Sequence, residues 1–399
     1  MAIATRRRSS RATPHRIFSR TRAFPFLASF RKRRSATPHR NLTRSYREDL
    51  RLFGTPWAKF GLVAMVVVFL VLPAVVQDDF WLSVLIYVGI TAVGAIGLNL
   101  LTGYCGQISL GHAFFIGAGA YVTARVGGDL GLPLPLWLLA AALVGGALGG
   151  LIGPFTLRLR GHYLAIVTLG LIFVGEHLWR NLGDLTGGNS GTSVNTDVAI
   201  GPVDFGALTI VGETYSRNQG YFWLVWGLVA IVALLAKNLV RTRPGRALQA
   251  VRDRDQAAEV IGVRAGRYKI GAFMISSAIA SMAGALFGSY QQFVSPDEWN
   301  LLLSIQYIAI VIVGGLGTIF GSVLGAIFVG ALPALIDRYS AIIPGVRTSV
   351  GGDGFISVFA LNQAIFGVLI VLFLVLEPRG LAGIWLRAKN YFKAWPFSY

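Results

Sequence analysis

Between residues 57 and 377 the sequence is a succession of apolar runs separated by polar gaps. They lie at roughly 57–76, 81–101, 109–126, 135–156, 162–179, 221–239, 268–290, 302–315, 317–336 and 357–377. About 20 apolar residues in a helix cross the ~30 Å hydrocarbon layer of a bilayer. In lipid every backbone polar group must be satisfied internally, which leaves helices as the way across for runs of this kind. Composition excludes a water-soluble core, since only 14% of the 399 residues are charged, against about 25% in an ordinary soluble domain. The expected fold is all-α, a polytopic transmembrane helical bundle of about ten spans. Gly145/Gly149 and Gly146/Gly150 have the small-xxx-small spacing of packed membrane helices.

The net charge is +18. Such a charge on a soluble face would suggest nucleic acid, but here the basic residues mark topology. With both termini in the cytoplasm, all but five of the 36 lysines and arginines fall on the inner side. The five are Arg125, Arg180, Arg217, Arg338 and Arg347. That bias follows the positive-inside rule and supports an even number of spans. It also implies contact with membrane lipid and no nucleic-acid partner.

Three regions are expected. Residues 1–52 form a basic, Arg-rich extension with a near-repeat at 11–16 and 35–40. It carries too little apolar surface to fold alone and reads as a disordered cytoplasmic tail against anionic headgroups. No apolar h-region follows it, so it is not a secretory signal, while an organelle transit peptide stays open. Residues 53–387 form the transmembrane domain, and 388–399 a short cytoplasmic tail. Two long outward loops, 181–220 and 337–356, either dock something or merely cover the bundle. The single cysteine, Cys105, excludes an intrachain disulfide and a Cys-based zinc site.

Glycines and polar residues interrupt the apolar pattern twice, at 103–115 and at 314–321. Non-helical backbone at membrane depth survives only where protein buries it or where it lines a wet cavity. Paired breaks point to transport proteins. The candidate pathway residues are Asn99, Gln107, Ser109 and His112. The bland alternative for His112 is a hydrogen bond inside the bundle. Glu176, near the outer end of its span, reads as an interfacial residue, because an ionisable group at mid-membrane is costly.

The longest inward loop is 240–267. Pro244 and Gly245 open it, apolar residues at 247, 248, 251, 258 and 261 follow helical spacing, and Gly262 is placed to stop the helix. One short amphipathic helix is expected, carrying Arg252, Asp253, Arg254 and Asp255. It fits either a groove on a partner, with these charges orienting it at the rim, or the bilayer surface.

Gln256-Ala257-Ala258-Glu259-Val260-Ile261-Gly262 resembles the E-A-A-x-x-x-G loop of ABC importer permeases, departing from it at Gln256. Four further stretches resemble LivM-like permeases of the branched-chain amino-acid ABC importers. They are Gly97–Tyr104 with Gly106–Ala113, Leu157–Ala165, Val313–Thr318 and Glu377–Leu381. The resemblance covers residues 60 to 387 approximately. It implies an inner-membrane permease subunit, paired with a second permease, served by an extracytoplasmic substrate-binding protein and driven by two cytoplasmic ATPases. It also assigns the coupling role to Arg252, Asp253, Arg254, Asp255, Gln256, Ala257, Ala258 and Gly262. No G-x-x-x-x-G-K-[ST] loop occurs, so ATP is expected to be used by partner subunits, with no cofactor or metal on this chain and no catalysis by it. Branched-chain amino acids are the expected cargo, with urea or short amides as the alternative. A self-sufficient secondary transporter or channel would need coupling-ion carboxylates at mid-membrane, and the expected spans are nearly free of Asp and Glu. A membrane-embedded enzyme would need a catalytic constellation, and none stands out.

Overall fold

The computed structural model describes residues 56–76, 78–158, 162–210, 213–340, 346–347 and 355–394. Residues from Pro56 onward form one compact unit. The expected extension 1–52 and the Gly351–Gly354 stretch lie outside the described residues.

Each of the ten apolar segments is helical. α1 spans Pro56–Val75. α2 spans Asp79–Asn99 and continues through a π-turn, Leu100–Tyr104. α3 spans His112–Thr123 and reaches Asp129 through a second π-turn. α4 is Leu134–Arg158, α5 His162–Asn181, and α6 a single turn at Gly183–Thr186. α7, Arg217–Arg241, opens on a capping box in which Ser216 and Gln219 satisfy each other's backbone amides. α8 (Arg243–Asp253) and α9 (Asp255–Val260) form the inward loop. α10 is Ala265–Gln291. α11 (Leu301–Gly314) and α12 (Ile319–Gly330) flank the second break. α13 (Leu332–Tyr339), α14 (Val358–Leu376) and α15 (Gly380–Ala394) complete the order. Among the described residues, eight helical segments are long and apolar enough to cross a membrane.

α10 is the hub. Its 27 residues rise roughly 40 Å, and it packs against α4, α3 and α2. Lipid gives apolar helices no reason to associate, so close backbone approach has to supply the attraction. The sequence provides it with small residues. A methyl group on Gly145 of α4 would overlap the Ser281 hydroxyl, and one on Gly149 would come within 2.7 Å of the Ser277 hydroxyl. Ser281 donates to the Phe115 carbonyl of α3 at 2.7 Å. The Gly145/Gly149 stripe is therefore a packing seam, as its spacing predicts. The Gly146/Gly150 stripe lies at ordinary contact distance from Ala278 and Met274 of the same helix.

α2 is buried at almost every residue from Val88 to Leu101, and a helix apolar all round is a buried helix. α14 is the opposite case, with Phe373 as its one buried residue. A shallow apolar groove lined by Gly367, Val368, Val371, Leu372, Val375 and Leu376 runs along it.

The two ends of the bundle differ. At the end that carries the 240–267 loop α7 turns into α8, and α8 packs against α7, α10 and the π-turn after α2. At the far end Asn218 of α7 donates to Asp79 at 2.9 Å. There too Arg217 donates to the Tyr290 carbonyl at 2.7 Å. A two-residue antiparallel ladder, Thr192–Ser193 with Phe293–Val294, ties the long loop after α6 to the end of α10.

Candidate functional site

The inward loop differs from its expected form. The helical spacing predicts one helix, but Arg254 adopts extended backbone (φ −159°, ψ 107°) and divides it into α8 and α9. Pro244 sits in the first turn of α8, where its missing N–H has no partner to lose. Ala247, Leu248 and Val251 are buried against the chain's own bundle, a correction to the reading that put this apolar face in a partner's groove or on the bilayer. Ala258 of α9 is also buried, packed with Val251 and Ala265. Ile261 is not on that face. It is 74% exposed and Val260 beside it 88%. The reason is the break at Arg254, which resets the helical phase so that the spacing read from α8 does not carry into α9. A groove of about 650 Å³ runs beside this tip, lined by Glu259, Gly262, Val263, Arg264, Gly266 and Arg267 among others.

The four charged residues expected at a rim separate. Asp255 pairs with Lys269 of α10, which holds α9 to the hub. Arg252 pairs with Asp253 at 3.0 Å and also turns inward, its Nη1 donating to the Gly103 carbonyl at 2.9 Å. Asp253 and Arg254 stay at the surface with Gln256 and Ala257.

Gly103 belongs to the first break, and the second break lies against it. A methyl group on Gly103 would overlap the Gly317 amide nitrogen. Asn99 joins the two. Its Nδ2 donates to the Thr318 carbonyl at 2.8 Å and to Ser322 Oγ at 2.7 Å. Its Oδ1 accepts from the Gly317 amide at 2.9 Å. Gly315 and Gly317 have φ of 123° and 73°, conformations that glycine reaches without strain.

The freed backbone groups of the first break find side-chain partners. Thr102 Oγ1 donates to the Gln107 carbonyl at 3.1 Å. The Leu110 amide donates to Thr168 Oγ1 at 2.9 Å, and the Ala113 amide to Ser304 Oγ at 2.9 Å. The Ser109 hydroxyl accepts from the Gly111 amide at 3.3 Å. His112 Nε2 lies 3.0 Å from the Gly94 carbonyl. A carbonyl only accepts, so Nε2 carries the proton. The imidazole also meets the Tyr307 ring edge-on at 5.1 Å. Gln107 is buried, and its Oε1 has no partner. Of the four pathway candidates, Asn99 meets the second break, Ser109 is held within the first, and His112 is held by Gly94 of α2. Thr168, Ser304 and Ser322 were not singled out from the sequence. Each is a lone hydroxyl in an apolar run, and only the neighbouring helix shows what it binds.

Residues 80–374 match the family described as the branched-chain amino acid transport system / permease component. The chain is 33% identical over 306 residues to the high-affinity branched-chain amino acid transport system permease protein LivM of Salmonella typhimurium, covering 72% of this chain and 71% of that protein. It is 28% identical over 262 residues to LivH of the same organism, a permease protein of the same named system, covering 62% and 82%. A shorter stretch of 117 residues is 32% identical to the autoinducer 2 import system permease protein LsrC of Escherichia coli, covering 28% and 34%. No solved structure matches. With its apolar helices, the protein is a multi-pass inner-membrane protein and a transport permease. A match over this share of the chain shows that it belongs to the branched-chain amino acid transport permease family.

Proposed function

We propose that this chain is one of two permease subunits of an ATP-driven importer for branched-chain amino acids. A second permease, two cytoplasmic ATPase subunits and an extracytoplasmic substrate-binding protein complete the assembly. The observation that carries this reading is the coupling end. Two adjacent aliphatic side chains, Val260 and Ile261, stand exposed at the tip of α9, and exposed apolar surface of this kind favours a partner's groove. A few residues away Arg252 binds the backbone of one broken helix, and Asn99 binds that helix to the other.

The proposed mechanism follows that line. ATP binding draws the ATPases together, and they carry α8 and α9 with them. The buried contacts of Val251 and Ala258 with Ala265, and the Asp255–Lys269 pair, transmit the displacement to α10. Arg252 transmits it to Gly103. The two breaks move as one because Asn99 holds two groups of the second and Ser322 of α12 beside it. In this reading Asn99, Ser109 and His112 act by holding the broken backbone. Gln107, with its unpartnered side-chain Oε1, is the pathway group free to meet cargo.

Mild detergent purification of the tagged chain from its native membrane tests the assembly. The expected result is co-purification of a second permease and an ATPase. Recovery of this chain alone, with other membrane complexes intact, would overturn it and favour a self-sufficient transporter. The similarity to an autoinducer 2 permease makes the cargo a separate question, answered by the ligand of the companion binding protein.

A further inference from the structure

The far end of the bundle holds four buried polar atoms that the coupling route does not use. Among the described residues they are Tyr121 OH, Trp179 Nε1, Trp299 Nε1 and Glu298 Oε2, none with a partner in well-formed hydrogen-bond geometry, although the Trp299 indole and the Tyr121 hydroxyl approach each other. Tyr121, Trp179 and Trp299 are 4%, 9% and 2% exposed. A buried donor or acceptor without a partner has given up water and received nothing in return, so each such group needs a reason. The other unpartnered atoms, on Gln107, Trp223 and Asn362, sit on separate elements. These four sit together.

Three elements assemble them. Tyr121 lies on α3, Trp179 near the end of α5, and Glu298 and Trp299 on the connection between α10 and α11. The Tyr121 and Trp179 rings are 5.0 Å apart, and Phe114 stacks on Trp179 at 5.6 Å. Trp299 lies over Gly117, where a methyl group would stand 2.7 Å from the indole. Tyr121 is four residues further along, one turn up the same helix face. Phe287 meets Trp299 edge-on at 5.6 Å. Arg180, next to Trp179, pairs with Asp297, next to Glu298, and with Glu176 at 3.1 Å. That clasp closes the rim.

The unpartnered set is three donors and one carboxylate oxygen among aromatic rings. The head of an α-amino acid is its complement. Its carboxylate accepts from O–H and N–H donors, and its ammonium donates to a carboxylate and is attracted to aromatic faces. We propose that Tyr121, Trp179, Glu298 and Trp299 form a reception site for the zwitterionic head of a free amino acid, sealed here and opened when the end of α5 parts from the α10–α11 connection. The proposal rests on the importer reading above.

Single-atom variants test it. The subunit is reconstituted in proteoliposomes with its permease partner, ATPases and binding protein. Leucine uptake, basal ATP hydrolysis and the unfolding midpoint are measured for Tyr121→Phe and Glu298→Gln. A reception site predicts that kcat/KM for uptake falls about tenfold or more in each, the loss of one charge-assisted hydrogen bond, while basal hydrolysis and the midpoint hold or rise. Merely unpaired atoms predict a higher midpoint with uptake unchanged, and that result overturns the site. Loss of uptake confined to variants with a lowered midpoint overturns it too, because packing damage then suffices. A wild-type assembly that takes up no amino acid sinks the importer reading itself, which separates the two failures.

Discussion

Arg252 carries two contacts of different kinds, an ion pair with its neighbour Asp253 and a hydrogen bond to the Gly103 carbonyl 149 positions away. The first is a surface pair and contributes little. The second closes a backbone acceptor at the end of a π-turn, and hydrogen bonds to a charged donor contribute about 1.5–3 kcal/mol. Arg252→Ala is expected to cut uptake at least tenfold while the reconstituted assembly still hydrolyses ATP. Uptake and hydrolysis measured on the same vesicles check this, and a parallel fall in both would point to lost assembly instead. The residue type was legible in the sequence, but its direction was not. A charged side chain beside Asp253 reads as rim, and only the approach of the π-turn shows that it reaches inward. The same holds for Asn99, whose three partners lie more than 200 positions away. His112 reads from sequence as either a pathway group or a satisfied buried histidine, and its bond to Gly94 shows how the buried form is satisfied.

At the scale of elements, the apolar runs were legible because length in a bilayer is a hard constraint. The breaks were legible because glycine clusters interrupt those runs. The division of the inward loop was hidden, since Arg254 takes extended backbone without the glycine or proline that usually announces it. Ile261 was misplaced for that reason. The correction yields a paired test. Ala258 is buried within the subunit, so Ala258→Arg is expected to dislodge α9 and lower the unfolding midpoint along with uptake. Val260→Asp with Ile261→Asp alters only exposed positions and is expected to abolish co-purification of the ATPase with the midpoint unchanged. Retention of the ATPase by the double variant would remove α9 as the docking element. The hub gives a second test. Gly145→Leu drives a side chain into Ser281, and such overpacking costs about 1–3 kcal/mol or more. Gly146→Ala meets nothing closer than 3.6 Å and is expected to leave the midpoint within experimental error. Unfolding midpoints in detergent compare the two directly. The far-end cluster was missed from sequence, because Tyr121 and Trp179 look like ordinary aromatic members of apolar runs and Glu298 like a residue outside the next one.

At the scale of the whole molecule, the tightest packing and the irregular backbone lie in different parts. The small-residue seam of α10 with α3 and α4 is tight. The two breaks, the inward helices and the far-end cluster hold the irregular backbone, and they are where one subunit can change shape without unpacking its hub. The outer helices are the least enclosed, α14 above all, and their apolar faces suit lipid.

The tip of α9 has a consequence for the life of the chain in the cell. Val260 and Ile261 are exposed in the single subunit and covered in the assembly proposed above. A subunit made without its partner displays two adjacent aliphatic residues where the cell's quality-control machinery recognises unassembled proteins. Chaperones and proteases act on such surfaces continuously. The tip is thus expected to serve as a degron that assembly conceals, matching the supply of this chain to that of its partner. In a pulse-chase experiment the chain expressed alone is expected to decay faster than in the complex. Val260→Ser with Ile261→Ser is expected to prolong the life of the solitary chain while weakening its assembly.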